Sequence, residues 1–268
     1  MATASVSAPD QAWAGRLGLG EVPRLSPWPA LGAVAAGVVP VGLVLGIVVW
    51  LLASPIAGGI VAAAVVLAGG LAWWAGAPAI CLSVLGVRSP APGELPRVQN
   101  LVDGLSLALG VRPPDLRVTR GDGPGPNLAV VGSSVRAVSL VVTPSLERSV
   151  ARVELEALLA HALAHARRGD AHVLARRAGT LGLVALASRR PVQAVAGRGR
   201  VLREQGADGV ALAATRYPPA LVAALGTLSG RQSEPVDGHS AFAAPLWCVP
   251  TRDAEGEVDV RTRALALL

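Results

Sequence analysis

Lysine is absent from this 268-residue chain, so all 24 of its basic residues are arginine. Phenylalanine and tyrosine occur once each. A protein that holds single-stranded nucleic acid stacks bases on several aromatic faces. The net charge of +6 is therefore read as arginine-biased composition, and no nucleic-acid partner is expected. Of the two cysteines, Cys81 lies in an apolar run and Cys248 near the C-terminus, with no metal-type spacing. That pair does not make a disulfide framework. Charge of either sign is missing between Arg24 and Arg88. That gap of roughly sixty residues holds two bilayer crossings of about 20 residues each. It also takes up much of the 52% hydrophobic content, so a membrane protein is expected.

Within the gap, one membrane helix is predicted over residues 30–53 and a second over 56–82. Ser54-Pro55 is the break, because proline disfavours helix at the residue before it. Pro40 should kink the first helix, which a membrane span tolerates. Trp28, Trp50, Trp73 and Trp74 fall near the interfaces that indoles prefer. Arg16 and Arg24 precede the hairpin, Arg88 and Arg97 follow it, and the tight connection has none. The excess of positive charge on the cytoplasmic side places both termini in the cytoplasm of a multi-pass cell-membrane protein. Three regions result: a flexible arm at 1–29, a transmembrane hairpin at 30–87, and a cytoplasmic domain at 88–268.

The domain is expected to be α+β, mainly helical with a small sheet. Residues 94–110 have a helical apolar period closed by Gly110. Short extended runs are expected at 116–119, 128–131 and 135–142 between Gly/Pro-rich turns. Thr143 or Ser145 would cap the next helix, with Glu147 in its first turn. The apolar run 178–188 is too short to cross a bilayer, so it should pack in the core or lie on the membrane surface.

The chemistry sits in residues 154–170, ELEALLAHALAHARRGD. His161 and His165 are spaced i and i+4, which puts both imidazoles on one helix face where they can hold one metal ion. A third ligand should come from another element. Glu204 is the leading candidate because it opens a helix and Asp208 follows one turn on, placed to hydrogen-bond a ligand imidazole. Asp170 and His172 are alternatives, expected to point elsewhere from further along the first helix. The bland reading is a partly exposed histidine pair in an alanine-rich helix. A protease helix of this type reads His-Glu-x-x-His, with the glutamate as general base. Here that position is Ala162.

Three segments together resemble the HtpX family of membrane-anchored zinc metallopeptidases. They are EALLAHALAHARRGD (156–170), REQGAD (203–208) and PNLAVVG (126–132). The apolar hairpin and the Arg-x-Arg-Ala-Leu ending also fit. The resemblance implies a zincin-like peptidase domain and a zinc ion on His161, His165 and Glu204. It also implies a peptide, or an unfolded protein segment, lying antiparallel to strand 128–131. Three departures stand out. Ala162 occupies the place of the catalytic glutamate. Asn127-Leu128-Ala129 replaces the family's Asn-Ala-Phe. The stretch between His165 and Glu204 is too short for extra membrane helices. Ala164 excludes an inverted motif, and Glu154 and Glu156 lie more than a turn before His161. His239 could hydrogen-bond a transition state, although a histidine in a polar tail is commonly just solvated. Arg167-Arg168 and residues 198–203 could face lipid headgroups or simply water. The expectation is a degenerate or strongly weakened zinc protease on a lipid bilayer. The alternatives are an active membrane-associated metalloendopeptidase and a metal-free structural membrane protein.

Overall fold

In a computed structural model the described residues are 27–121, 125–134, 136–188, 200–230, 246–249 and 262–267. Nearly all of the N-terminal arm, Val135 and His239 lie outside them. Two long apolar helices come first, α1 (Trp28–Leu52) and α2 (Pro55–Val84), packed on each other. Ser54 separates them: its side chain accepts from the Ala57 N–H at 3.2 Å, and Pro55 supplies the first helical residue. That combination of cap and N1 proline starts a helix while giving up no useful donor. Pro40 and Pro78 both sit inside helices that continue through them. Both helices are long and apolar enough to cross a membrane, and only 17% and 6% of their most apolar stretches are buried. A core helix of a soluble protein would be mostly covered; these leave Val44, Leu51, Leu52, Ile56 and Leu67 exposed.

After β1 (Val87–Arg88), helix α3 (Pro96–Leu109) ends at Gly110, left-handed as a helix C-terminus favours. Strands β2 (Asp115–Thr119), β3 (Leu128–Gly132) and β4 (Val138–Val142) complete a four-stranded sheet in the order β1-β2-β4-β3. β2 and β4 run parallel, while β3 is an edge strand antiparallel to β4, pairing Leu128 with Val142 and Gly132 with Val138. Of the run expected over 135–142, β4 takes Val138–Val142. Ser133 and Ser134 donate their N–H groups to the Ala137 carbonyl in a turn, so pairing begins only at Val138.

The histidine helix also starts later than expected. Leu146–Ser149 forms a separate short helix, α4, with no side-chain cap from Ser145, and Val150 is extended. Helix α5 (Arg152–Arg168) then begins afresh, with the Glu154 carboxylate accepting from the Ala151 N–H at 3.0 Å. This is one half of the reciprocal capping seen at helix starts. Residues 157–164 of α5 are all buried, the pattern of a helix covered on every side. Its alanines let α3, α7, α8 and β3 approach, while Leu155, Leu158, Leu159 and Leu163 fill the space between. Each fully buried leucine of this kind contributes about 1.5–3 kcal/mol. A helix so enclosed holds its two imidazoles in fixed positions.

Helix α6 (Asp170–Ser188) contains the apolar run 178–188 and packs against both α1 and α2. The backbones come close at Gly179, where a side chain would strike the backbone of Ala77. Helices α7 (Arg200–Thr215) and α8 (Pro218–Gly230) cover α5 from the other side. Residues 246–249 are buried, and residues 262–267 form a last helical turn carrying the fully buried Arg263.

Candidate metal centre

Helix α7 presents Glu204 and Asp208 one turn apart to α5, with Ala207, Val210 and Ala211 buried at the same interface. The result brings together His161, His165 and Glu204, whose nearest ligand atoms all lie within 4.8 Å of one another. Glu204 Oε2 is 3.3 Å from His161 Nε2 and 3.6 Å from His165 Nε2, and the two rings meet edge to face at 4.9 Å. Asp208 Oδ1 lies 2.7 Å from His161 Nδ1. Asp170 does not point elsewhere. Gly169, at φ +73°, ends α5 in a left-handed turn, and Asp170 restarts the chain with its carboxylate 3.8 Å from His165 Nδ1. His172 is outside the cluster, against the backbone of Gly132.

The arginine surface expected here is partly internal. Arg168 Nε donates to Asp170 at 3.0 Å, and Arg203 is buried.

Arg263, which the sequence marks only as part of the Arg-x-Arg-Ala-Leu ending, lies directly behind the three candidate ligands. Its Nε and Nη2 donate to the two oxygens of Asp208 at 2.9 and 2.8 Å, and Nη1 donates to the Cys248 carbonyl at 3.1 Å. Nη1 also lies 3.6 Å from Glu204. That ending gives no sign of what this arginine contacts, because its partners are 55 and 15 residues away.

Electrostatics follow from this packing. Burial disfavours charge on His161, but negative charge on the neighbouring Cys248 and Asp208 side chains holds its pKa well above the ordinary imidazole value. His165 is likewise raised against burial, chiefly by Glu204. Burial pushes the Glu204 and Asp208 carboxyls upward, yet His165 in the one case and Arg263 in the other keep both below the ordinary range.

Whether these residues fit a metal is tested by His161. Asp208 already accepts two hydrogen bonds from Arg263, and its Oδ1 is close enough to take a third from His161 Nδ1–H. In the neutral ring, the form that binds a metal, that hydrogen bond keeps the proton on Nδ1 and leaves Nε2 as a lone pair. His161 Nε2 is buried without a hydrogen-bond partner although a carboxylate oxygen is 3.3 Å away. Lone pairs from two imidazoles and a carboxylate thus converge on one point. Only a shared proton or a cation relieves that arrangement, and two histidines with one carboxylate form a known zinc-ligand set. The residues fit.

The wall of this pocket is made by Leu128, Ala129, Ala162, Trp247 and Cys248. Ala162 puts a methyl there. Along β3, the strand expected to receive a peptide, the outer edge is taken by the chain's own residues. Ala129 pairs antiparallel with Trp247, and the Cys248 N–H donates to the Leu128 carbonyl at 2.8 Å. Asn127 is fully buried, and its side chain clasps Val249, donating to its carbonyl at 2.7 Å and accepting from its N–H at 3.3 Å.

No protein-family model matches the chain, and no solved structure does. Curated relatives do. The protein named Protease HtpX homolog from Dictyoglomus thermophilum is 30% identical over 202 residues, covering 63% of this chain and 66% of the relative. The protein of the same name from Dictyoglomus turgidum is 28% identical over the same shares. That from Tropheryma whipplei is 27% identical over 194 residues, covering 60% and 66%. The matched region therefore spans just under two thirds of each of these relatives. The similarity agrees with the histidine helix, the glutamate helix and the apolar N-terminal pair: this chain belongs to the HtpX-like family.

Proposed function

We propose that this protein is a membrane-tethered, zinc-binding HtpX-like protein whose proteolysis is lost or strongly weakened. The observation that carries the reading is the meeting of His161 Nε2, His165 Nε2 and Glu204 Oε2 beside the Ala162 methyl. His161, His165 and Glu204 would hold the zinc, with Asp208 and Asp170 orienting the two imidazoles from behind. Bound there, zinc would polarise a carbonyl and lower the pKa of a water ligand to around 7. Among the described residues, the pocket wall carries only the Ala162 methyl where a general base is expected. Losing general-base help costs about 10² to 10⁴-fold in rate. The covered edge at Leu128 and Ala129 supports the same reading, because a substrate strand would have to displace residues 246–249. The apolar pair α1 and α2 is the tether, with both termini cytoplasmic by the arginine distribution. The partners in keeping with this site are peptides or unfolded protein segments.

The test is to restore the missing acceptor. Ala162→Glu should give chelator-sensitive cleavage of a casein-type substrate at least 10²-fold above the unaltered protein. If the unaltered chain already cleaves at a comparable chelator-sensitive rate, the degenerate reading is wrong and the protein is a working protease.

A further inference from the structure

We infer that Arg176, set over the Trp74 ring at the root of the hairpin, binds the phosphate of an anionic phospholipid in the leaflet facing the metal domain, with Arg136 as a second contact. The inference goes beyond the zinc reading and rests only on the proposed tether. Trp74 marks the depth. Helix α2 is 30 residues long, about 45 Å at the helical rise, against a hydrocarbon layer of about 30 Å. Counted from Pro55, just after the tight connection, that layer is used up after roughly 20 residues, at Trp73 and Trp74. Indoles prefer this boundary. Beyond it the helix exchanges lipid for protein. Ala77, Pro78 and Cys81 are buried, Gly179 of α6 lies against Ala77, and the Cys81 thiol donates to the Ala175 carbonyl at 3.2 Å.

Arg176 is fixed at that depth. Its Cζ lies 5.1 Å from the centre of the Trp74 ring, within the range at which a cation is held over an aromatic face. Nη2 donates to the Ser133 carbonyl at 2.8 Å and Nη1 to the His172 carbonyl at 3.4 Å. A guanidinium has five N–H donors. Nε is buried without a hydrogen-bond partner, and each Nη keeps a second N–H. Nothing acidic balances the charge. Among the described residues Arg88, Arg97, Arg117, Arg168 and Arg263 each pair with a carboxylate, and Arg176 does not. The turn that carries Ser133 adds Arg136, exposed, with its N–H on Ser134 Oγ at 3.3 Å. Arginine is the side chain best shaped for phosphate, and lipid phosphate is the anion that the headgroup layer offers at this level. Strand β3 runs from Gly132, beside this turn, to Ala129 at the metal pocket, roughly 10 Å. A lipid bound here would therefore fix how far the pocket stands from the bilayer.

The experiment is lipid competition on the full chain in detergent. Phosphatidylglycerol and phosphatidylcholine are supplied at equal concentration, and the retained lipid is counted by native mass spectrometry. The expected result is a preference for phosphatidylglycerol that falls about fivefold in Arg176→Gln, the weight of one arginine near an anionic surface. Arg152→Gln, at the far end of α5, should leave the preference unchanged. Should Arg176→Gln fail to fold, the exposed Arg136→Gln carries the test and should lower the preference about twofold. A preference that survives in whichever of these two variants folds would overturn the assignment, because a purely structural arginine alters stability and not the choice of lipid. Displacement of the lipid by inorganic phosphate at the same concentration would also overturn it, in favour of a free-phosphate site. The same protein is floated with phosphatidylcholine vesicles. Flotation without any preference for phosphatidylglycerol in detergent would remove the lipid site and leave the tether standing, and failure to float would remove both.

Discussion

Arg263 meets Asp208 fork to fork, at 2.9 and 2.8 Å, with both side chains fully buried. The pair joins the C-terminal helical turn to α7 and, through Asp208, to His161. Breaking one side of a buried ion pair leaves an uncompensated charge and costs about 3–5 kcal/mol. Arg263→Met should therefore destabilise the protein by roughly that amount. Arg263→Lys should recover only part of it, since an ammonium cannot reproduce the planar two-point contact. Equilibrium denaturation in detergent measures both. A loss below about 1 kcal/mol for Arg263→Met would show the pair to be dispensable.

Asp208→Asn tests the layer behind the ligands separately from stability. The amide keeps the shape and can still hydrogen-bond the His161 ring, but it weakens the ring as a ligand. Changes of this kind typically cost 10- to 100-fold in metal affinity. Competition with a chromophoric chelator reads this directly, and an unchanged affinity would remove Asp208 from any role at the metal.

Much of the site was legible in the sequence because it depends on short-range spacing. The i, i+4 pairs His161/His165 and Glu204/Asp208 each fix a helix face, and once two such helices pack, the four side chains have little freedom. The hairpin was legible for a similar reason, since a long uncharged run ended by Ser54-Pro55 admits few alternatives. Three features were not. Asp170 was expected to continue along the first helix, but Gly169 turns the chain and aims its carboxylate back at His165. The start of α5 was placed too early because Ser145 and Glu147 look like a helix start. They do begin one, but it ends after a single turn. The role of Arg263, marked only as part of the Arg-x-Arg-Ala-Leu ending, was hidden because its partners lie far away in the chain.

Proton competition gives a pH prediction with a definite sign. His161 and His165 have raised pKa values, so their contribution to the metal-free fold is complete below the ordinary imidazole range. It is lost as pH rises through the raised values. Glu204 and Asp208 are depressed, so theirs is complete above the ordinary carboxylate range and lost as pH falls through the lowered values. Metal-free protein should thus be most stable between about pH 4.5 and 6.5. Zinc binds deprotonated imidazole, so its stabilisation should grow with pH. Thermal unfolding with and without zinc between about pH 5.5 and 8 checks this. A zinc-induced shift that shrinks as pH rises would contradict it.

Gly179 tests how the hairpin is joined to the rest. Any side chain there meets the Ala77 backbone, so Gly179→Val must push α6 away from α2. Overpacking of this kind costs about 1–3 kcal/mol. The melting temperature in detergent should fall accordingly, and an unchanged value would mean that the contact bears no load.

Zinc content, measured by mass spectrometry on full-length protein purified without added metal, tests the central claim most directly. The account predicts about one equivalent per chain, falling to background in the His161→Ala, His165→Ala double variant and strongly reduced in Glu204→Gln. Less than about a tenth of an equivalent, remaining so after incubation with zinc and gel filtration, would contradict it.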